Sequence, residues 1–317
     1  MVEFKSIYKK IVNHFKVYNS ELFFIMKEIA LKIDQIKLKL IDDETFLKWQ
    51  YYRKTGQKLN LENPVTYNEK IQWLKLNYRN PLLNRCVDKY AVRNYVLEKT
   101  NRPEILIPIY GVYNNIDEVN FNELPDKFDL KLTNGSGFNY VCKNKTKKEI
   151  KKIKRRFRSW IKINYYARGR EWAYKNVKNR IICEELLEPK NGEFLKDYKF
   201  FCFNGKVKII FVNIDNVGNG LKTNSYRNLY TPDWKLISGK IGFPNYPYDI
   251  PKPQKLDEMI EIAELLSKDF PTVRVDLYYF DEKIYFGELT FYHSSGYQKI
   301  EPDELSKRMG DWITVIN

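Results

Sequence analysis

What most limits the fold of this chain is the way two hydrophobic periods are divided along it. From Ile7 to about Leu40 the residues Ile11, Phe15, Leu22, Ile25, Ile29, Ile33, Ile36 and Leu40 recur at three- and four-residue steps with lysines opposite. That is the period of an amphipathic helix or helix pair, either packed as a cap or laid on a membrane face or partner. After Ile181 the pattern changes to short β-branched and aromatic runs: Ile181 to Cys183, Tyr198 to Phe203, Val207 to Ile214, Val273 to Phe280 and Ile284 to Leu289. Asn204-Gly205 and Asp281-Glu282 sit between such runs as hairpin turns. One helix interrupts them, Lys255 to Ser267, apolar on more than one side and therefore expected between layers.

The middle of the chain mixes both signals. Pro64 breaks the pattern, and Thr66 then precedes Glu69 in a capping-box arrangement for a helix through Ile71, Trp73 and Leu74. A second helix is expected from about Asp88 to Lys99, ending before Pro103, and strands over Ile107–Tyr113 and Phe128–Leu132. Lys145 to Trp172 reads as a basic helix whose cations, Lys147 to Arg158, surround Ile150, Ile153, Phe157 and Ile161. A solvated face and a docking surface for a polyanion both explain it. No repeat or low-complexity linker is visible, so the subdomains are expected to interlock.

With 317 residues, 43% of them hydrophobic, the chain can bury two or three packed subdomains. Cys86, Cys142, Cys183 and Cys202 form no CxxC pair and only His14 and His293 are present, so neither a zinc site nor a disulfide framework is indicated. That points to a reducing cytosol. No apolar run approaches the roughly 20 residues of a membrane-spanning helix, and Met1 to Lys5 do not open a signal peptide, so the protein is expected inside the cell. The net charge of +15 favours an anionic partner: nucleic acid, acidic lipid, nucleotide phosphates or a uronic-acid polymer.

Three segments carry candidate chemistry. Lys131 precedes Thr133-Asn134-Gly135-Ser136-Gly137, where glycines would let backbone amides approach phosphate oxygens; an ordinary hairpin would also explain them. Alternation within a hairpin projects Arg274 with Asp276, and Glu288 with Thr290 from the partner strand. Oxygen ligands on adjacent strands suit Mg²⁺, although a buried Arg–Asp pair would account for the first strand alone. Finally, Ile181-Ile182-Cys183-Glu184-Glu185-Leu186-Leu187, with Asp197-Tyr198-Lys199 downstream, is either a purine-binding strand end with a carboxylate for ribose or a solvated strand end.

Taken in order, these segments resemble the nucleotide site of the ATP-grasp superfamily, most closely its TupA-like branch, associated with teichuronopeptide and capsule synthesis. The resemblance runs from about Phe46 to Asp311 and is strongest over Asn63 to Leu76, Asp88 to Arg93, Phe128 to Asn139, Asp197 to Gly205 and Val273 to Gly296. It implies an α+β ATP-grasp fold in which two α+β subdomains enclose a nucleotide. The expected divisions are an N-terminal helical extension over 1–100, a lid over 101–187 and a C-terminal subdomain with a metal-binding hairpin over 188–317. By resemblance Lys89 and Lys131 are the phosphate lysines, Asn134, Gly135, Ser136 and Gly137 a flap over the phosphates, and Glu184, Glu185, Leu186 and Leu187 the adenine wall. Asp197 would hold the ribose, and Arg274 and Lys199 would act on the transferring phosphoryl group. Asp276, Glu288 and Thr290 would hold Mg²⁺, with Thr290 standing where the superfamily commonly has asparagine. Ser294, Ser295 and Gly296 match a substrate-carboxylate loop, and His293 beside them is counted with the substrate site, either as a packing or hydrogen-bonding residue at a strand end or as a base for the amine.

The implied reaction is ATP-dependent ligation of a carboxylate to an amine through an acyl phosphate. The expected partners are ATP, an amino acid or related amine, and a uronic-acid-containing glycan or its precursor, with peripheral association at the inner membrane face and no nucleic acid. Two other readings compete: a glycosyltransferase using a nucleotide sugar, which would leave Lys89, Lys131 and the Arg274–Glu288 hairpin without a joint explanation, and a non-catalytic basic binding protein.

Overall fold

A computed structural model describes residues 20–188, 197–218 and 221–314. The helical pattern expected before residue 20 lies outside the described residues. The chain opens with helices α1 (Ser20–Leu40), α2 (Asp43–Thr55), α3 (Tyr67–Asn77), α4 (Leu82–Val87) and α5 (Val92–Thr100). The expected capping box is present on α3. The Thr66 hydroxyl accepts from Glu69 N at 3.3 Å, while Glu69 Oε2 accepts from Thr66 N at 2.9 Å. Helix α5 begins later than the sequence suggests because the Asp88 carboxylate takes the amides of Tyr90 and Ala91 at 2.8 and 2.9 Å, holding that turn apart from the helix.

Strands β1 (Ile109–Tyr113), β2 (Phe128–Leu132), β3 (Asn139–Cys142) and β4 (Ile181–Glu184) form an antiparallel sheet in the order β1-β4-β2-β3. Between β3 and β4 lie α6 (Lys147–Trp160) and α7 (Tyr166–Gly169). The long basic helix expected to Trp172 therefore stops at Trp160. Asn179 Nδ2 donates to the carbonyls of Ile161 and Ile163 at 2.9 and 2.7 Å, giving them a partner other than another helical turn. Ile153, Phe157 and Trp160 of α6 are buried against this sheet.

The larger sheet is antiparallel in the order β10-β9-β5-β6-β7, from β5 (Asp197–Phe203), β6 (Lys206–Gly218), β7 (Leu221–Tyr230), β9 (Thr272–Phe280) and β10 (Lys283–Thr290). Both hairpin dipeptides are where the sequence put them: Asn204 and Gly205 have φ of 48° and 75°, Asp281 and Glu282 φ of 47° and 59°. Strand β7 was not foreseen; it is an edge strand of mostly polar residues. A two-stranded ribbon pairs β8 (Lys240–Ile241) with β11 (Ile300–Glu301), and α9 (Asp303–Asp311) follows. Helix α8 (Leu256–Ser267) buries Leu256, Met259, Ile262, Ala263 and Leu266 against the large sheet, the interlayer position expected of it.

Two apolar clusters organise these elements. One joins α3–α5, α8 and α9 to the large sheet; the other lies under the four-stranded sheet and takes Leu31 from α1. Leu31 is not on the apolar face expected of α1, and five residues of that face, Ile25, Ile29, Ile33, Ile36 and Leu40, are between 45% and 77% exposed. Among the described residues no helix is long and apolar enough to cross a membrane. Polar and charged contacts tie α1 and α2 to α6 and the segment after it. The fully buried Arg170 meets Asp43 at 3.0 Å and lies 4.1 Å over the Phe46 ring, and Ser159 bonds Glu28.

Candidate active site

The β9–β10 hairpin is the base of the site, and its register decides which groups meet. From the turn to Phe286↔Leu277 the strands pair regularly; then the register shifts, so that Glu288 faces Asp276 and Thr290 faces Arg274. The extra residue is Gly287. Were the ladder regular with Gly287 paired, Gly287 would oppose Asp276 and Glu288 would oppose Val275, which points into the core. A side chain at 287 would meet the Asp276 carbonyl oxygen at 3.0 Å and the Tyr278 ring at 3.2 Å, so the bulge suits glycine.

Strand β5 adds a second cation. Lys199 faces Asp276 across the β5–β9 pair, and its Nζ lies 2.6 Å from Asp276 Oδ2 and 2.5 Å from Asp197 Oδ2. Arg274 donates to both Asp276 oxygens at 2.6 Å and to Glu288 Oε1 at 3.1 Å. Burial opposes ionisation of Asp276, but Arg274 and Lys199 hold its carboxyl below the usual range. Thr290 Oγ1 donates to Glu288 at 2.9 Å. Asp197 Oδ1 is buried without a partner among the described residues, an acceptor left for a hydroxyl donor.

His293 buttresses the arginine. Its Nδ1 accepts from Arg274 Nη1 at 2.6 Å, which leaves Nε2 to donate to Gln298 Oε1 at 2.9 Å. Burial and then Arg274 and Arg227 push its pKa well below the ordinary value, so the ring is neutral. Ser294 and Ser295 follow with φ of 49° and 55°, an uncommon conformation for residues with side chains. They are held by α3: Gln72 donates to the Ser295 and Gly296 carbonyls at 2.9 and 3.0 Å, and Lys75 donates to Ser295 O and Oγ at 2.9 and 2.8 Å.

The four-stranded sheet supplies the opposite wall. Lys131 on β2 reaches Glu184 on β4 at 2.7 Å and Asp129 at 3.2 Å; burial works against its charge, but the two carboxylates outweigh that and raise its pKa to about 12. Lys89 Nζ donates to the Gly135 carbonyl at 2.6 Å, and burial lowers its pKa. The loop from Asn134 to Gly137 turns through φ of 90° at Gly135 and 77° at Gly137. At Gly135 a Cβ would also lie 2.6 Å from the Tyr165 ring. Asn134 is buried at the loop base, donating to the Val177 carbonyl at 3.1 Å.

A cleft of about 230 Å³ separates the two walls. Lys89, Lys131, Gly135, Ser136, Gly137, Glu184, Lys199, Asp276 and Glu288 line it together. Glu185 is exposed and Leu186 and Leu187 half-buried beyond the end of β4; none of the three lines the cleft. The apolar and aromatic lining comes instead from Leu106, Ile107, Phe138, Tyr278 and Phe286, with Arg93 and Asn139. These had no chemical signature in the sequence, being ordinary strand and loop residues. A chamber of about 850 Å³ adjoins the cleft, sharing Ser136, Gly137 and Glu288, and reaches Arg274, Thr290, Ser294 and Ser295.

Two oxygen-bearing strands with cations beneath a glycine loop are the arrangement that the resemblance to the ATP-grasp class implied. The chain belongs to the TupA-like ATP-grasp family, whose model matches residues 69–314. The ATP-grasp fold expected from the sequence is thus the one it has. No curated protein matches the chain. Among solved structures it is similar to the D-alanine–D-alanine ligase of Bacillus anthracis (15% identity, 65% of this chain and 57% of that one, TM-score 0.40). It is also similar to the L-amino acid ligase of Bacillus licheniformis (12% identity, 72% of this chain and 49% of that one, TM-score 0.44). The chain thus spans only about half the length of these proteins.

Proposed function

We propose that this protein is an ATP- and Mg²⁺-dependent carboxylate–amine ligase that attaches an amino acid or related amine to a uronic acid of a surface polysaccharide or its precursor. The observation that carries the reading is the meeting of Lys89, Lys131 and Lys199 with Asp276 and Glu288 in one cleft beneath the Asn134–Gly137 loop. Lys89 and Lys131 would hold the nucleotide phosphates, with loop amides closing over them. Asp197 would accept from a ribose hydroxyl. Arg274, fixed in the plane set by Asp276 and His293, would face the transferring phosphoryl charge together with Lys199.

The donor set also fits Mg²⁺, since Asp276 and Glu288 are hard oxygen ligands facing each other across a strand pair. When bound there with Thr290 nearby, the ion would neutralise phosphate charge. The substrate carboxylate oxygen attacks the terminal phosphorus and ADP leaves; an amine then displaces phosphate from the acyl carbon to give the amide. The net charge of +15 and the basic run from Lys147 to Arg158 on α6 support an acidic glycan acceptor. The exposed isoleucine stripe of α1, flanked by Lys32, Lys37 and Lys39, supports a location at the inner membrane face.

Thermal stabilisation by a nucleotide panel with and without Mg²⁺ tests this. ATP or ADP should raise the melting temperature and Lys131→Ala should abolish the shift. A response to UDP-sugars alone would overturn the ligase in favour of a glycosyltransferase.

A further inference from the structure

The chamber beside the cleft is assembled from segments far apart in the chain, and part of its wall lies outside the region the family model matches. Met26 and Ala30 come from α1 and Gln50 and Lys54 from α2, all before residue 69. Gln50 is held in place by the Tyr297 hydroxyl, which donates to its Oε1 at 2.8 Å. Deeper in, Glu171 lines the chamber although it is only 9% exposed. Gly169 permits this arrangement, since a Cβ there would come within 2.9 Å of Ser295 Oγ and 3.1 Å of Glu171 Oε1. Ser295, beside Glu171, lowers the pKa of that carboxylate, while Lys75 donates to Ser295 O and Oγ at 2.9 and 2.8 Å. A buried carboxylate of this kind favours a cationic ligand, and at the chamber mouth the exposed side chains of Arg168 and Lys54 offer the opposite sign.

We propose that this chamber binds the amine substrate as a free amino acid, with its ammonium against Glu171, its carboxylate towards Arg168 and Lys54, and Glu171 accepting the proton that the nucleophilic nitrogen must lose. The inference rests on the ligase reading above. The ammonium proton passes to the Glu171 carboxylate. The freed nitrogen lone pair forms the N–C bond to the acyl carbon, and the C–O bond to phosphate breaks with its electrons leaving on inorganic phosphate. Glu171 afterwards returns the proton to solvent. Burial raises the Glu171 pKa, against the lowering effects of Lys75 and Ser295, which makes its carboxylate a stronger base near neutral pH. The N-terminal helices, on this assignment, help to select the amine.

The test is calorimetric titration of the proteinogenic amino acids, glycine and D-alanine into the protein saturated with Mg²⁺ and AMP-PNP. At least one should bind the intact protein. Glu171→Gln should weaken that amino acid roughly 10-fold or more, as expected for loss of a charge-assisted hydrogen bond, while leaving nucleotide binding unchanged. Arg168→Ala should weaken it as well, and should not weaken the matching amine that lacks a carboxylate. Nucleotide binding with no amino acid bound at millimolar concentration, or undiminished amino-acid binding by Glu171→Gln, overturns the chamber assignment and leaves the ligase standing. Failure of the intact protein to bind nucleotide sinks both.

Discussion

Replacing Asp276 by asparagine keeps the shape of the side chain and removes its charge. Asp276 is 3% exposed and receives three donors at 2.6 Å, two from Arg274 and one from Lys199. Removing one partner of a buried ion pair costs about 3–5 kcal/mol, because the other charge is left uncompensated. Here both cations keep a second carboxylate, Glu288 at 3.1 Å for Arg274 and Asp197 at 2.5 Å for Lys199, so the lower end applies, about 3 kcal/mol. At roughly 2.1 cal/mol/K per residue, 317 residues have an unfolding entropy of about 0.7 kcal/mol/K, so Asp276→Asn should lower Tm by about 4 °C at neutral pH. The folded pKa of Asp276 is below its unfolded value, so its contribution is complete above about pH 4 and is lost as pH falls through the folded value. The gap between the two proteins should therefore be constant from pH 7 to about 5 and close in stronger acid. Differential scanning calorimetry across that range, with and without Mg·ATP, measures both effects. A variant that melts with the native protein at pH 7 and still responds to Mg·ATP would refute the electrostatic account of the cluster.

Other perturbations separate register, burial and surface. Gly287→Val should make the bulge untenable, since its Cβ would meet the Asp276 carbonyl oxygen at 3.0 Å and the Tyr278 ring at 3.2 Å; a slip to the regular ladder turns Glu288 towards the Val275 face, so the hairpin should persist by circular dichroism while Mg·ATP stabilisation weakens sharply. Burial, opposed by Glu171, lowers the Lys75 pKa to about 7 from 10.5. Between those values the unfolded chain holds a proton the folded chain lacks, so stability rises with pH there, and Lys75→Met should flatten the Tm slope measured from pH 7 to 10. Ile29→Glu with Ile33→Glu should abolish co-sedimentation with phosphatidylglycerol vesicles but leave nucleotide binding intact; equal sedimentation of both proteins would count against the membrane location.

Much of the local structure is legible in the residues because its causes are local. The Thr66–Glu69 box, the two dipeptide turns and the interlayer helix before Ser267 each follow from side chains within a few positions of one another. The readings that failed were those decided by distant partners. Helix α6 stops where Asn179, 18 and 16 residues from Ile161 and Ile163, takes the carbonyls beyond its end; the late start of α5 is the local exception, set by Asp88 on the amides of Tyr90 and Ala91. Strand β7 owes its existence to pairing with β6, which no hydrophobic alternation announces.

The candidate site divides the same way. Lysines at strand ends, a glycine loop and acids on a hairpin are covalent facts, and they suffice to suggest a phosphate and metal chemistry. Their meeting is not. Strict alternation along β10 from the Asp281–Glu282 turn would place Glu288 on the face opposite Asp276, and only the bulge at Gly287 brings the two carboxylates together. Likewise nothing in the local sequence joins Glu171, Lys75, Ser295 and Gln50; they converge because α3 packs under the strained serine loop and α2 against Tyr297. The sequence by itself determined which chemical groups are available and which strands and helices display them. Tertiary structure decided the register and the long-range packing, and with them which of those groups share a cavity, because one inserted residue or one buried contact reverses the face a side chain occupies.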